Sequence, residues 1–175
     1  MTEDNEGPNI SSESASREFP QRRHLRRLDR IFDCHQTPLF FITVCTRHRQ
    51  RYLSDPNAAA IIVATLAEAE STYGWIVGRY IVMPDHVHMF CAPGSDEARD
   101  LSSFIGYWKR STAMRIRRSC ITNFAWQPEF FDHLMRSHES YAEKWEYVRQ
   151  NPVRAGLVEQ PEEYPYQGEI HELQW

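Results

Sequence analysis

Short, evenly apolar segments alternate along this chain with longer segments in which apolar positions recur at helical spacing. Runs of β-branched and aromatic residues predict strands. The predicted strands are 38–46, 75–83, 86–92 and 129–135. Apolar residues three and four positions apart predict helices between the strands and after the last of them. The predicted helices are 56–73, 96–118 and 137–151, and Pro152 stops the last one.

This order of elements predicts the fold class. Strand, helix, strand, strand, helix, strand is the order of the split βαβ plan. We therefore predict an α+β, ferredoxin-like βαββαβ domain, in which helices cover one face of an antiparallel sheet. The helix at 137–151 is an appended C-terminal element. The second face of the sheet is then left for chemistry.

Composition separates the ends of the chain from its middle. The first 21 residues are rich in Glu, Ser, Asn and Pro, and we predict that 1–21 is a flexible acidic tail. The chain has 175 residues, of which 41% are hydrophobic, so the residues after this tail are enough to form one domain of ordinary size. We place that domain at 22–168, followed by a C-terminal tail at 169–175.

Targeting signals and cysteine usage indicate the compartment. The chain has no apolar run near the roughly 20 residues of a membrane helix. It also has no basic-then-apolar signal pattern at its start, so we expect a cytoplasmic protein. Four cysteines lie far apart without a Cys-x-x-Cys pair, which argues against a zinc knuckle and for reduced thiols.

Charge is unevenly distributed. The net charge of −4 does not by itself favour nucleic acid, and acidic residues crowd into both ends. Basic residues gather in three clusters, at 22–27, 47–51 and 109–118. All but two of the 20 basic residues are arginine, whose planar fork suits phosphate and stacks on bases. These clusters fit solvated faces as well as a nucleic-acid surface.

A histidine pair is the first candidate for chemistry. In a strand, residues two apart point to the same side, so His86 and His88 stand next to each other while Val87 points towards the helices. Two neutral imidazoles can bind a divalent metal, and open coordination positions would permit catalysis. By itself, a His-x-His pair also fits a purely structural role.

The last predicted helix carries a tyrosine outside its apolar stripe. The stripe consists of Tyr141, Trp145 and Val148. Tyr147 lies about 100° away from it on the helical wheel. Asn151 is one turn further along the same face, so its amide oxygen can supply a third metal ligand beside His86 and His88. The Tyr147 hydroxyl would then lie close to whatever the metal binds.

These residue types suit transesterification of a phosphodiester. A divalent cation on a non-bridging oxygen withdraws charge, and it also stabilises a phenolate nucleophile whose ordinary pKa is about 10. Attack would give a covalent phosphotyrosine and a free 3′ hydroxyl, with the bond energy conserved. Mixed nitrogen and oxygen ligands favour Mg²⁺ or Mn²⁺ over a structural zinc.

The sequence resembles a known family, the REP-associated tyrosine transposases, which are HUH endonucleases (named for their His-hydrophobic-His motif). The matching segments, spread over 22–168, are HLRRLD at 24–29, FFITVCTRHR at 40–49, YIVMPDHVHMF at 80–90, YWKRSTAMRI at 107–116, WQPEFFDHLMR at 126–136 and EYVRQNPVRAGLV at 146–158. The motif PDHVHM and the later Tyr-x-x-x-Asn-Pro-Val make the resemblance specific as a pair. The acidic ends depart from the picture of a DNA binder.

The resemblance implies roles for particular residues. It makes His86 and His88 metal ligands, Tyr147 the nucleophile and Asn151 the third ligand. It also implies that DNA is contacted by Arg47, Arg49, Lys109 and Arg110. The expected substrates are single-stranded DNA hairpins from repetitive extragenic palindromes. Trp108 and Trp126 are candidates for base stacking, although core packing explains them better.

We therefore predict a metal-dependent single-stranded DNA endonuclease and strand transferase that acts in DNA transposition on palindromic hairpins through a covalent 5′-phosphotyrosine. One alternative is a domesticated hairpin-binding protein with slow or absent chemistry. A second is a phosphoesterase that activates water and uses Tyr147 only for packing. A third is a protein-interaction domain without metal. The sequence leaves open whether the protein is a monomer or a homodimer, and whether one chain or two build each site.

Overall fold

The computed structural model describes residues 37–136 and 140–173. The predicted tail at 1–21 and the first residues of the predicted helix at 137–151 lie outside this part. The strands are β1 Phe40–Cys45, β2 Trp75–Met83, β3 His86–Pro93, β4 Phe131–Leu134 and β5 Gln167–Glu169. The helices are α1 Pro56–Ala67, α2 Ala69–Tyr73, α3 Leu101–Ser119, α4 Tyr141–Arg149 and α5 Asn151–Arg154. Among the described residues, no helix combines the length and apolar character needed to cross a membrane.

The five strands form one antiparallel sheet in the order β4-β1-β3-β2-β5. The first four have the arrangement of a ferredoxin-like βαββαβ domain, so the predicted α+β class is confirmed. Strand β5 was not predicted. It pairs with β2 at the edge of the sheet, and the predicted domain boundary at residue 168 falls inside it. Leu173, beyond that boundary, packs against the hydrophobic side chains of the sheet.

Alternation along the central strands produces two different faces. The first face carries Ile42, Val44, Val87, Met89 and Cys91, which pack with α1 and α3 in the larger core. Side chains between them, among them Phe41 and Phe90, point to the second face.

Trp145 and Val148 of α4 pack on this second face, as the predicted apolar stripe requires. Helix α4 therefore covers part of the face that was predicted to be open.

A β-bulge in β2 helps to hold α4 in place. The register between β2 and β3 shifts between Val77 and Tyr80, and both of these side chains belong to the first-face core. On the second face, the Arg79 guanidinium lies 5.2 Å from the ring centre of Tyr141 and 5.8 Å from that of Trp145. The Arg79 backbone N–H also donates to the Tyr141 hydroxyl at 3.2 Å. These contacts anchor the first half of α4 to the sheet.

The end of α4 differs from the prediction. The predicted helix runs to Asn151, whereas α4 ends at Arg149 and Asn151 begins the separate short helix α5. Pro152 lies in the first turn of α5, where a missing backbone N–H costs nothing. Gln150 joins the two helices with a helical backbone conformation, at φ −78° and ψ −6°. A single residue therefore separates the helix of Tyr147 from the helix of Asn151.

Candidate active site

The histidine pair lies on the second face of the sheet, at the start of the central strand β3. In β3, His86 is opposite Cys45 and His88 is opposite Thr43 of β1. The two rings meet edge to face, and their Nε2 atoms are 3.0 Å apart. The predicted juxtaposition of the two imidazoles is therefore present.

An acidic neighbour orients His86. The Nδ1 atom of His86 lies 2.6 Å from Asp85 Oδ1, while the other carboxylate oxygen pairs with Arg49 Nε at 2.7 Å. An ionised carboxylate only accepts hydrogen bonds, so Nδ1 of His86 carries the ring proton. Arg49 Nη2 approaches the same Nδ1 at 3.4 Å, but the much shorter contact to Asp85 decides the tautomer. The Nε2 atom of His86 is then a lone-pair donor.

Arg49 reaches this position from a strained turn. His48 and Arg49 both have φ of 55°, a left-handed conformation that costs a residue with a side chain about 1–3 kcal/mol. The Arg49 side chain also donates to Cys45 Sγ at 2.8 Å, so the turn holds the guanidinium beside the histidines. Strain of this kind persists only where surrounding contacts enforce it.

A threonine on the neighbouring strand orients His88. Thr43 Oγ1 lies 2.8 Å from His88 Nδ1, and the Phe41 ring stacks on the imidazole at 5.3 Å between ring centres. When the hydroxyl accepts from Nδ1–H, the Nε2 lone pair of His88 faces that of His86. Two lone pairs that face each other at 3.0 Å repel unless a cation binds between them. This arrangement suits a divalent metal.

Burial keeps both imidazoles neutral. It lowers the pKa of His88 to about 3, and the positive charges of Arg49, Lys144 and Arg154 act in the same direction. Burial also lowers the pKa of His86, although Asp85 opposes part of this effect. At neutral pH each ring therefore keeps one nitrogen with a lone pair that can bind a metal. Lys144 Nζ lies 5.1 Å from the ring centre of Phe41, which stacks on His88, so the polar side of α4 lies close to the pair.

The donor set fits a catalytic ion better than a structural one. Nowhere in 37–136 or 140–173 do three His, Cys, Asp or Glu side chains converge on one point. A structural zinc site needs four such ligands. An ion held by His86 and His88 would instead take further oxygen ligands from an amide, a phosphate or water, and it would keep open positions for a substrate.

Tyr147 stands exposed on α4, with 65% of its surface accessible. The Arg154 guanidinium lies 4.4 Å from the centre of its ring. Arg154 also donates to the backbone oxygen of Tyr147 at 2.7 Å and to Asn151 Oδ1 at 2.5 Å. One arginine thus ties together the candidate nucleophile and the candidate third ligand. An amide oxygen has two lone pairs, so Asn151 keeps one for a metal while it accepts from Arg154.

The four basic residues expected to contact DNA have different surroundings. Arg47 and Arg110 are exposed, and Arg110 lies against the ring of Tyr107. Arg49 is in the ion pair with Asp85, and Lys109 donates to the backbone oxygens of Gln127 at 2.5 Å and Pro128 at 2.8 Å. Lys109 therefore anchors the loop that leads to β4. Trp108 and Trp126 are buried against each other, which makes them core residues rather than base-stacking platforms.

Sequence reasoning missed both residues that orient the imidazoles. Asp85 adjoins His86 in the chain, so a carboxylate next to a candidate ligand was an available signal. Thr43 carried no such signal, because only the register between β1 and β3 places it opposite His88.

Comparisons with known proteins point to one family. The family model described as "Transposase IS200 like" matches residues 39–151. The chain is 25% identical to the REP-associated tyrosine transposase of Escherichia coli K12 over 128 residues, and these residues cover 73% of each protein. A relative from Haemophilus influenzae is also 25% identical, over 147 residues that cover 73% of this chain and 77% of that protein. The solved structure of a REP-associated tyrosine transposase bound to a REP hairpin has a TM-score of 0.62 at 22% identity, covering 75% of this chain and 76% of that one.

Proposed function

Because this chain belongs to the family of IS200-like transposases, we propose that it is a metal-dependent endonuclease and strand transferase for single-stranded DNA. It acts on palindromic hairpins through a covalent 5′-phosphotyrosine. The observation that carries this proposal is the convergence of His86 Nε2 and His88 Nε2 at 3.0 Å on the sheet face against which the helix of Tyr147 packs. A structural histidine pair would not require an exposed tyrosine on that helix.

His86, His88 and Asn151 would hold the divalent ion, which we propose to be Mg²⁺ or Mn²⁺. Two imidazoles and an amide oxygen are a mixed donor set, and the remaining positions would take phosphate or water oxygens. When bound, the ion supplies charge stabilisation to the phosphate and favours the ionised form of a nearby phenol. Asp85 and Thr43 hold the imidazoles in the orientation that this requires.

Tyr147 acts as the nucleophile. Its phenolic oxygen loses its proton to solvent and forms a bond to phosphorus, while the bond between phosphorus and the 3′ oxygen breaks. The departing 3′ oxygen takes up a proton and becomes a free hydroxyl. The 5′ phosphate stays on Tyr147 until the 3′ hydroxyl of another strand attacks it, which restores the tyrosine. Arg154, 4.4 Å from the Tyr147 ring, places positive charge where the phosphate must approach.

The proposed substrate is a DNA hairpin with single-stranded flanks. One solved relative is, in the words of its title, bound to a REP hairpin, and the relative from Escherichia coli is named for its association with such repeats. In this chain, the exposed Arg47 and Arg110 offer phosphate contacts. The active unit is a monomer or a homodimer.

A second candidate function is hairpin binding with slow chemistry. It is favoured by the 2.5 Å contact between Arg154 and Asn151 Oδ1, because the guanidinium places positive charge next to the oxygen that would bind a cation and so weakens metal binding there. A protein in this state would bind the hairpin and cleave it only when Arg154 moves.

A covalent-adduct assay tests the proposal. Hairpin DNA from repeats that flank the gene is incubated with the protein and Mn²⁺ and resolved on a denaturing protein gel. DNA labelled on the 3′ side of the cleavage point is expected to remain on the protein, whereas DNA labelled on the 5′ side is released. Chelation of the metal should abolish the adduct, and peptide mapping should place the phosphate on Tyr147. Cleavage without an adduct would favour a water-activating nuclease, and binding without cleavage would favour the second candidate.

Replacing Thr43 with Val should weaken metal binding while leaving the fold intact. Val has almost the shape of Thr but cannot hydrogen-bond His88 Nδ1, so the ring loses its fixed orientation. Loss of such an orienting partner typically costs about 10-fold to 100-fold in metal affinity. Titration with Mn²⁺ measures the change, and Thr43→Ser should restore most of the affinity. Equal affinities for Thr43→Val and the wild type would contradict a role for this hydroxyl.

A further inference from the structure

An aromatic side chain lies in the same row of the sheet as the histidine pair. Phe131, the first residue of β4, is opposite Thr43 in β1, and Thr43 is opposite His88 in β3. Side chains that face each other across strands point to the same face. Neighbouring strands are about 4.8 Å apart, so the backbones of Phe131 and His88 are separated by about 10 Å. A nucleotide next to a phosphate held at the histidines can span this distance.

Phe131 exposes 50% of its surface, although it is one of the most hydrophobic residue types. The part of the chain that the structure describes has four exposed large hydrophobic side chains: Tyr107, Met114, Phe131 and Tyr147. Tyr107 lies between the guanidinium groups of Arg99 and Arg110, and Met114 belongs to α3 on the opposite face of the sheet. The other two are Phe131, which lies on the second face of the sheet with the histidines, and Tyr147, which lies on the helix that packs against that face. A single exposed aromatic is common; its place in this row makes it informative.

The backbone around Phe131 is held firmly. Strand β4 pairs with β1 over four residues, and upstream of it the Gln127 N–H donates to the Cys45 oxygen at 2.9 Å. Lys109 fixes the loop between these two points through the Gln127 and Pro128 oxygens. Among the described strands, β4 lies at the edge of the sheet, and half of the Phe131 surface is exposed there. A half-exposed ring on a rigid strand is suited to stacking.

We propose that Phe131 is the platform on which an unpaired base next to the scissile phosphate stacks. This inference rests on the proposed function, because it presumes a DNA strand at the histidines. Every base has a π-face, so such stacking contributes affinity and positioning without reading sequence. Phe131 is thus a substrate-positioning residue that acts through the path of the strand and not through the metal.

An abasic scan tests this role. Binding is measured by fluorescence anisotropy in Mn²⁺ with the Tyr147→Phe protein, so that no DNA is cleaved. The probes are one hairpin with intact single-stranded flanks and a series in which each flanking nucleotide in turn lacks its base. In the protein that retains Phe131, we expect one position beside the cleavage point at which removal of the base weakens binding about ten-fold. With Phe131→Ala, the intact hairpin should bind about ten-fold more weakly, and removal of that base should have no further effect.

Two further variants control for general effects. Phe131→Trp keeps an aromatic surface and should restore both the affinity and the sensitivity to that base. Met114→Ala removes an equally exposed side chain from the other face and should change neither. The inference is overturned if Phe131→Ala binds the intact hairpin normally, or if it remains as sensitive to every abasic position as the protein that retains Phe131.

Phe131→Ala also distinguishes this role of Phe131 from the proposed chemistry of Tyr147. With Tyr147 intact and DNA at saturation, Phe131→Ala should still form the covalent adduct. Adduct formation together with an unchanged abasic pattern would remove the role of Phe131 and leave the transesterase. An abasic pattern that depends on Phe131, in a protein that never forms an adduct, would leave a base-binding edge and remove the transesterase.

Discussion

Replacing Tyr147 with Phe is expected to eliminate the covalent adduct and to reduce DNA nicking on the order of ten-thousand-fold, because it removes the only oxygen with which this side chain can attack phosphorus. The fold should be unaffected. Tyr147 is 65% exposed, and Arg154 contacts its ring and its backbone oxygen rather than its hydroxyl. Hairpin affinity should therefore stay within about two-fold of the wild type, since the nucleophile contributes little to ground-state binding.

Tyr141→Phe is the matched control for this change. Tyr141 lies on the same helix, but its hydroxyl accepts a hydrogen bond from the Arg79 backbone N–H at 3.2 Å. Its loss should cost about 1 kcal/mol of stability and leave the chemistry intact. Nicking and adduct yield are measured on denaturing gels, and stability by thermal unfolding. If Tyr147→Phe nicked DNA at the rate of the wild type, a water nucleophile would be indicated, and Tyr147 would have no part in catalysis.

Replacing His88 with Ala is expected to have the second largest effect. It removes one of two nitrogen ligands that lie 3.0 Å apart, so affinity for Mn²⁺ should fall sharply and the adduct rate on the order of a thousand-fold. The wild type should be stabilised against heat by Mn²⁺ in proportion to the logarithm of its concentration, and the variant should lose this dependence. The double variant of His86 and His88 should be no slower than either single one, since the two ligands act as a unit.

His171→Ala provides the comparison. It makes the same chemical change at a histidine whose Nε2 lies 3.5 Å from the Glu70 carboxylate, outside the candidate site. Calorimetric titration with Mn²⁺ should give wild-type affinity for this variant. Equal loss of metal affinity in His171→Ala, or retained affinity in His88→Ala, would exclude the histidine pair as the metal site. Either result could coexist with hairpin binding, which anisotropy measures independently.

Local periodicity explains why much of the architecture was predictable. A strand repeats every two residues and a helix about every 3.6, so a short window of sequence is enough to reveal each. The 75–83 strand was predicted with the bounds of β2, and the 86–92 strand differs from β3 by one residue. The same local rule placed His86 and His88 on one face and Tyr147 outside the stripe of Trp145 and Val148.

Contacts between segments that are far apart in the sequence could not be predicted from local periodicity. Strand β5 is only three residues long, Gln167–Glu169, and it forms because the edge of β2 is available to it. Besides its apolar stripe, α4 is held on the second face by Arg79, which lies at a bulge in β2 and contacts the rings of Tyr141 and Trp145. Neither feature has a period that a short window of sequence could show.

The sequence by itself determined the α+β plan, the paired imidazoles and the exposed tyrosine, because each follows from the spacing of neighbouring residues. Only the tertiary structure decided how the imidazoles are oriented and what lies beside them. Strand register places Thr43 against His88 and Phe131 in the same row, and a strained turn brings Arg49 to Asp85. Strand register and the position of this turn depend on packing across the whole sheet. That packing is determined by the balance between burial of residues distant in the sequence and the loss of chain entropy.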